Sequence, residues 1–516
     1  MPTSPLLPFL SLTLPQRLER WAQAHGSRVA LVAGESRISY TQLDQRVSRL
    51  AGGLAALGIQ AGDRVMLQLP NSVGLVSALF AVMRLGALPV LAMPSQRAQD
   101  IEALCRLAEP VAYLIPERIR DFDFRSMAGE IAQRQPALRQ VIVDGEPGPF
   151  TALSSLDAAC PPLPVVAAQD TALLLLSGGT TGTPKLIPRS HADYAYNFTH
   201  SAQLCEIDRD SVYLAVLPIA HNFTLACPGI LGTLAAGACV VLAESAGCDE
   251  AMPLIARERV THVALVPPLA QLWAQGREWE DSDLSSLKLL QVGGSRLDPG
   301  LARQLVDVLG RRLQQVFGMA EGLLCFTRPG DSLEVVLNTQ GRPLSPEDQV
   351  RLVDTDLCEV APGQVGELLT RGPYTINGYY RAAEHNALAF TVDGFYRSGD
   401  LARWTPEGNL VVEGRIKEQI QRGGEKISAA LIESHLNALP QVESCVVVAV
   451  PDSLLGERIC AFILGEPAAT AQVLREQLRQ GGLGDDKLPD QFEWLMAWPL
   501  TAVGKIDKQQ LAVLAQ

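Results

Sequence analysis

The 516-residue chain has no Cys-x-x-Cys pair, and its ten cysteines (105, 160, 205, 227, 239, 248, 325, 358, 445 and 460) are scattered along it. That pattern excludes a clustered zinc site or a small disulfide framework and fits free thiols in a reducing compartment. Positive charge is also scarce, with 43 Lys and Arg against 56 Asp and Glu and a net charge of -13. The broad positive field that nucleic acid or an anionic membrane surface needs is missing, so neither is an expected partner and any anion must be held locally. The first residues, Met1 to Pro8, lack the charged start and apolar core of a signal peptide, and no apolar run reaches the length of a membrane span. The expected location is cytoplasmic. No internal repeat or low-complexity tract is evident.

What is present is apolar material: 47% of residues are hydrophobic, ample for the two or more domains that the length implies. Residues 14 to 92 read as the start of an α/β domain. Val29 to Val32 and Ile38 to Tyr40 flank a turn at Gly34-Glu35, and Thr41 with Asp44 resembles a capping box that opens a helix running to Gly58. A strand follows from Arg64 to Leu69, then a helix that Asn71 can cap and Gly86 can end, then a strand from Leu88 to Leu91, the rhythm of a parallel sheet. Residues 93 to 170 are hard to read, and the prolines at 147, 149, 161, 162 and 164 suggest a connection between two layers.

Four leucines, Leu173 to Leu176, then make a buried strand. Ser177-Gly178-Gly179-Thr180-Thr181-Gly182-Thr183-Pro184-Lys185 leaves it as a loop. Glycines let backbone approach a ligand, successive N–H groups can point at one anion, and Lys185 adds charge, which is the chemistry of gripping polyphosphate. It is not a Walker A loop, because Thr183 and Pro184 separate Gly182 from Lys185. The structural alternative is a flexible surface loop. A second sheet is predicted from buried runs at Ala238 to Leu242, Thr261 to Val266, Leu287 to Val292 and Leu313 to Phe317, with a helix over Pro299 to Leu309. From Gln349 short segments punctuated by Gly and Pro read as a small antiparallel region. A third texture follows: a helix from Ala429 to Leu439, strands at Ser444 to Val450 and Ile459 to Leu464, a helix near Ala471 to Leu478 and a strand at Gln491 to Leu495. The predicted organisation is α/β: a large N-terminal domain, residues 1–415, of two α/β sheets plus the antiparallel region, and a small mobile α+β lid, residues 416–516.

Ligands gather where parallel strands end, so loops after strands are the first candidates. Gly293-Gly294-Ser295 leaves a strand without side-chain bulk and could let a flat ring slide against backbone; the alternative is an ordinary turn. Val316-Phe317-Gly318-Met319-Ala320-Glu321 also ends a strand, and Glu321 could hold Mg2+ on phosphate oxygens, since that ion usually takes only one or two carboxylates. In Tyr396 to Leu401, Asp400 could accept from both hydroxyls of a ribose. Four cations crowd Arg415 to Lys426 in an acidic protein, and adjacent Gly423 and Gly424 suggest a moving backbone at a hinge, although a charge run is usually a solvated face. Lys505 follows Gly504 on a loop behind Pro499.

The set Ser177 to Lys185, Phe317 to Glu321, Tyr396 to Asp400, Gly414 to Ile427 and Leu500 to Asp507, in this order over essentially the whole chain, resembles the adenylate-forming superfamily of acyl-CoA synthetases, luciferases and peptide-synthetase adenylation domains. The resemblance implies that a carboxylate and Mg-ATP give an acyl adenylate and pyrophosphate, and that a thiol then captures the acyl group. It implies that the Gly/Thr loop and Lys185 handle the pyrophosphate, Glu321 binds Mg2+, Asp400 and Arg415 hold the ribose, and Gly293, Ser295, Val316, Phe317, Gly318 and Met319 line the nucleotide. It also implies that the lid swings about Lys417, presenting Lys505 for adenylation and the loop of Gly423, Gly424 and Lys426 for thioester formation.

Within that family, His221-Asn222-Phe223 resembles the branch that activates aromatic acids, where the Asn amide meets the carboxylate and ortho hydroxyl of a 2-hydroxybenzoate. The alternative is that His221 and Asn222 merely cap a helix beginning at Thr224. Amino-acid-activating relatives carry an Asp here, and this chain offers no such counter-charge. Phe223 would be an apolar wall and Gly294 part of the same pocket. The positions matching Cys227 and Leu324 are usually Ser and Val in 2,3-dihydroxybenzoate enzymes; the Cys/Leu pair resembles salicylate ligases, because Cys bonds poorly to a 3-hydroxyl and Leu fills its place. The expectation is a salicylate-AMP ligase that loads the phosphopantetheine thiol of an aryl carrier protein in trans, in siderophore-type assembly. Alternatives are a 2,3-dihydroxybenzoate or benzoate ligase with a carrier or coenzyme A acceptor, and a non-catalytic nucleotide-binding regulator.

Overall fold

The computed structural model describes residues 11–177, 184–309, 312–422, 425–501 and 504–516. Runs of Val, Leu and Ile with no alternation form parallel strands buried on both faces, as such runs should. A seven-stranded sheet has the order Leu186–Ser190, Thr171–Leu176, Leu88–Leu91, Arg64–Leu67, Ala112–Pro116, Gln140–Asp144 and Thr151–Ala152. All its pairings are parallel except that of Leu186–Ser190, which returns antiparallel to the leucine strand after the Gly/Thr loop. The stretch of difficult sequence supplies three of its strands, Ala112–Pro116, Gln140–Asp144 and Thr151–Ala152, and the helices Ala98–Ala108 and Phe124–Arg134.

A nine-stranded sheet has at its centre the parallel strands Arg312–Gly318, Leu289–Gly293, His262–Leu265, Val212–Ala215 and Cys239–Leu242. Val29–Ala33 and its hairpin partner Ser36–Ser39 extend this second sheet, with Leu31 opposite Val240, and do not join the first. Strand sequence specifies that a segment is buried on two faces but not which sheet edge receives it. The helix Pro299–Leu309 lies where its periodicity placed it.

Two predicted caps are corrected. The helix Tyr40–Ala56 is capped by Ser39, whose side chain accepts from Gln42 N while Gln42 caps back, so the box lies two residues before Thr41. Asp44 instead accepts from Arg84 at 2.6 Å. The helix Val73–Arg84 is capped by Ser72 and not by Asn71. Asn71 ties the two sheets together: its Nδ2 donates to the carbonyls of Ala215 and Leu217, and its Oδ1 accepts from Ile219 N, each at 2.9 Å.

Residues 349–415 form a four-stranded antiparallel sheet, Gln349–Val353, Gly366–Arg371, Tyr396–Trp404 and Leu410–Arg415. A single 3₁₀ turn, Ile416–Glu418, leads from it to a five-stranded sheet built from Gln419–Arg422, Glu425–Ser428, Cys445–Asp452, Gly456–Leu464 and Gln491–Leu495, with the helices Ala429–Asn437 and Ala471–Gln480. This C-terminal unit has its own apolar core around Ile420, Ile432, Ile459 and Leu474. It touches the helix Pro267–Gly276 through Glu443, whose Oε1 accepts from Gln271 and Gln275 at 2.9 and 2.7 Å.

Candidate functional site

The carboxyl ends of Val212–Ala215, His262–Leu265, Leu289–Gly293 and Arg312–Gly318 lie side by side in the nine-stranded sheet, the end at which open parallel sheets form their ligand crevice. Gly293 is paired with Val316, and a Cβ on Gly293 would meet the Val316 carbonyl and stand 3.3 Å from Phe223 Cζ. Gly294 turns the chain at φ +90°, a conformation that disfavours any side chain. Ser295, next along, is exposed.

Lys505 reaches this turn from the C-terminal unit: a Cβ on Gly294 would lie 3.6 Å from Lys505 Cε, and one on Gly504 would lie 3.7 Å from Val266 Cγ2. Its loop is closed by Thr501, which accepts from Lys505 N at 3.1 Å and donates its own N–H to the Lys505 carbonyl at 2.7 Å. Burial, reinforced by the Arg415 guanidinium, pushes the Lys505 ammonium down to about 8, against the opposing pull of Asp400, Glu321 and Glu418. Cation and carboxylates thus share one crevice although they come from distant parts of the chain.

Asp400 and Arg415 are cross-strand partners, and Arg415 Nε donates to Asp400 Oδ1 at 2.9 Å. Burial raises the Asp400 carboxyl, with Arg415 opposing. One carboxylate oxygen is therefore engaged by the guanidinium, which fixes the orientation of the group. Lys417 is exposed in the 3₁₀ turn that follows.

Glu321 is buried on the loop after Arg312–Gly318. Its Oε1 accepts from the Tyr379 hydroxyl at 2.7 Å, and Tyr379 lies 2.9 Å from the Tyr396 hydroxyl. The Lys185 ammonium stands 5.9 Å from the centroid of the same Tyr379 ring, so the tyrosine brings Lys185 and Glu321 to one place. Ser177 and Lys185 close the neck of the Gly/Thr loop, Ser177 N donating to the Lys185 carbonyl at 3.0 Å. Gly178, Gly179, Thr180, Thr181 and Gly182 lie outside the described residues, as do Gly423 and Gly424 and the side chain of Lys426. A single buried carboxylate such as Glu321 suits Mg2+, which takes only one or two carboxylates and keeps water or phosphate oxygens as its other ligands. Among the described residues no group of three or more His, Cys, Asp or Glu is placed to hold a metal.

The floor of the crevice is the short helix Asn222–Ala226. His221 is its N-cap, Nδ1 accepting from Phe223 N at 3.3 Å, so that Nε2 carries the proton. Burial, with Lys505 adding to it, pushes His221 down to about 3, which leaves a neutral hydrogen-bond donor and not an acid. Asn222 begins the helix two residues before the predicted start, and its side chain turns inward: Oδ1 accepts from the Tyr194 hydroxyl at 2.8 Å and Nδ2 donates to Cys227 Sγ at 3.4 Å. Burial pushes the Cys227 thiol up to about 12, so it stays neutral. Leu324, buried on the antiparallel strand beside Arg312–Gly318, packs where a Cβ of Gly318 would lie. Phe317 and Met319 are half-buried around this strand end, and Val316 is buried.

Three contributors were not singled out in the sequence. Tyr379 carries no local signal. Tyr194 looks like any apolar-face residue of its helix. Arg189 is fully buried, pairs with Asp193 at 2.9 Å and donates to the carbonyls of Ala320 at 2.8 Å and Tyr374 at 3.2 Å, fixing the backbone beside Glu321.

Comparison with known proteins agrees in extent and kind. Residues 18–380 match the family model of AMP-binding enzymes, and residues 431–505 match that of the AMP-binding enzyme C-terminal domain. The chain is 53% identical over 493 residues to the pyochelin synthase PchD of Pseudomonas aeruginosa, covering 95% of this chain and 90% of that one. It is 50% identical over 491 residues to the 2,3-dihydroxybenzoate-AMP ligase of Bacillus subtilis, covering 95% and 91%. It is 49% identical over 483 residues to the salicyl-AMP ligase / salicyl-S-ArCP synthetase of Mycobacterium tuberculosis, covering 93% and 85%. Among solved structures, that of Mycobacterium smegmatis MbtA superposes with a TM-score of 0.76 at 44% identity, covering 98% and 95%. The chain therefore belongs to the AMP-binding, adenylate-forming enzyme family, among its aryl acid-AMP ligases.

Proposed function

We propose that this enzyme activates salicylate with ATP and passes the salicyl group to the phosphopantetheine thiol of an aryl carrier protein, in siderophore-type biosynthesis. The observation that carries the aryl acid reading is the buried amide of Asn222, set between Tyr194 and Cys227 at the foot of a crevice that also holds Lys505. No carboxylate stands at this position to meet the ammonium of an amino acid, whereas an amide suits a carboxylate flanked by an ortho hydroxyl. Relatives named for salicylate and for 2,3-dihydroxybenzoate are almost equally similar, at 49% and 50%, so overall identity does not choose between them. The pocket wall favours salicylate. Cys227 offers only a weak, neutral thiol where a 3-hydroxyl would need a partner, and Leu324 fills space that the hydroxyl would occupy.

In the first half-reaction a carboxylate oxygen attacks the α-phosphorus of ATP, the bond to the bridging oxygen of the β-phosphate breaks, and pyrophosphate leaves. Charge builds on the α-phosphoryl oxygens and on the leaving group. Lys505 from the lid and Lys185 at the Gly/Thr loop answer it with fixed ammonium groups, and His221 offers a neutral N–H. Asp400 with Arg415 holds the ribose. Mg2+ held through Glu321 would supply charge neutralisation on the phosphate oxygens. In the second half-reaction the thiol, losing its proton, attacks the acyl carbon and AMP departs. We assign residues 1–415 to the adenylating body and 416–516 to a lid that turns about Lys417, exchanging Lys505 for the loop of Gly423, Gly424 and Lys426. The position of Lys505 beside Gly294, in the field of Asp400 and Glu321, supports its role in adenylation.

Pyrophosphate exchange measured with salicylate, 2,3-dihydroxybenzoate and benzoate tests the assignment. Salicylate should give the highest kcat/KM. A preference for the dihydroxy acid overturns the choice of substrate.

A further inference from the structure

Asn222 is not the last determinant of the pocket, because its own orientation is set from elsewhere. Tyr194 lies on the helix His191–Leu204 and donates its hydroxyl to Asn222 Oδ1 at 2.8 Å, with both side chains buried. Burial holds the phenol far above its ordinary range, so the hydroxyl keeps its proton and remains a donor. The ring is fixed in turn: the Arg189 guanidinium carbon stands 4.7 Å from its centroid, and Arg189 is itself tied to Asp193 and to the carbonyls of Ala320 and Tyr374. Oδ1 is engaged by the phenol and one Nδ2 proton is given to Cys227 Sγ at 3.4 Å, so the amide turns its NH2 end to the pocket and keeps the second Nδ2 proton for a ligand. The two ends of an amide make opposite demands, since NH2 only donates and oxygen only accepts.

We infer that Tyr194 is a positioning residue for acid selection: it fixes Asn222 with its NH2 toward the ortho substituent, so that the site takes acids bearing an ortho oxygen acceptor and rejects those bearing an ortho amine. The inference rests on the aryl acid reading proposed above. A 2-hydroxybenzoate can turn a lone pair of its hydroxyl oxygen toward Nδ2–H while giving its own proton to the adjacent carboxylate. In a 2-aminobenzoate the nitrogen lone pair is drawn into the ring, and two N–H groups face an N–H donor with no acceptor between them. Unmatched buried donors of this kind are heavily penalised. Without the phenol, the amide can rotate by half a turn and show its oxygen to the amine.

The test compares kcat/KM for salicylate and for anthranilate in pyrophosphate exchange. The native enzyme should favour salicylate by roughly 100-fold or more, and Tyr194→Phe should narrow that ratio by about tenfold, chiefly through a lower KM for anthranilate. Asn222→Asp, whose ionised oxygens only accept, should move the ratio the same way, and it stands as a second variant should Tyr194→Phe fold poorly. A structural role alone would lower both acids by one factor; an unchanged ratio in both variants, with salicylate exchange intact in the native enzyme, overturns the inference and leaves the aryl acid reading standing. Absence of exchange with either acid in the native enzyme overturns that reading and the inference with it.

Discussion

Replacing Lys505 with alanine removes one ammonium from the crevice and should split the two half-reactions. In the structure Lys505 stands beside Gly294 and feels Arg415, Asp400, Glu321 and Glu418, and burial brings it down to about 8. At pH 7 roughly nine-tenths of it is still charged. Loss of a single preorganised charged contact to the developing phosphoryl charge costs about 3 kcal/mol, or roughly 150-fold in rate. Acid-dependent pyrophosphate exchange should fall by that order, while transfer of a supplied aryl adenylate to a thiol should be little changed, because in the proposed exchange the lid turns its other face to the site for that step. Equal loss in both assays would refute the domain exchange. A second reading comes from stability. Lys505 is depressed from its ordinary 10.5 to about 8, so the folded protein binds fewer protons than the unfolded chain between those two values. Its penalty is therefore complete below pH 8 and vanishes as pH rises toward 10.5, and it amounts to at most about 3 kcal/mol. Lys505→Ala should make the ligand-free protein more resistant to urea at pH 7, with the gain shrinking through that window. A gain that grows with pH would contradict the assignment of burial as the cause.

Other substitutions probe the pocket and the frame. Cys227→Ser combined with Leu324→Val should shift preference toward 2,3-dihydroxybenzoate by about 1 to 3 kcal/mol, read as the ratio of kcat/KM for the two acids, and an unmoved ratio would remove these residues from the selection of substrate. Tyr379→Phe deletes the hydroxyl that holds Glu321 Oε1 and should raise the Mg2+ concentration needed for half-maximal exchange, with little effect on KM for the acid. Asn71→Ala removes all three hydrogen bonds that join the first sheet to the segment leading into His221, and it should cost about 2 to 4 kcal/mol in urea unfolding. A loss under about 0.5 kcal/mol would mean that water replaces the amide.

Much of the secondary structure was legible in the chain. Buried parallel strands announce themselves as short unbroken apolar runs, and the helix Pro299–Leu309 follows from its 3.6-residue period. Capping was less legible. Thr41 and Asn71 have the right chemistry for caps, but Ser39 and Ser72 have the backbone position, and only the path of the chain distinguishes them. The strand Val29–Ala33 was recognisable as a strand and not as a member of the second sheet, because nothing in its residues names Val240 as the neighbour of Leu31.

The sequence by itself determined the motifs, their order and the family to which they belong, since each is a local string whose spacing survives without coordinates. It also marked Asn222, Cys227 and Leu324 as candidates, through the resemblance to aryl acid ligases. Only the tertiary structure decided which groups meet: that Lys505 lies against Gly294 some two hundred residues away in the chain, that Tyr379 sits between Lys185 and Glu321, and that Tyr194 and Arg189 govern the amide of Asn222. The reason is physical. A hydrogen bond from a buried phenol or guanidinium depends on distance and direction, and those are set by the packing of helices and sheets contributed by the whole chain, so no window of sequence contains them.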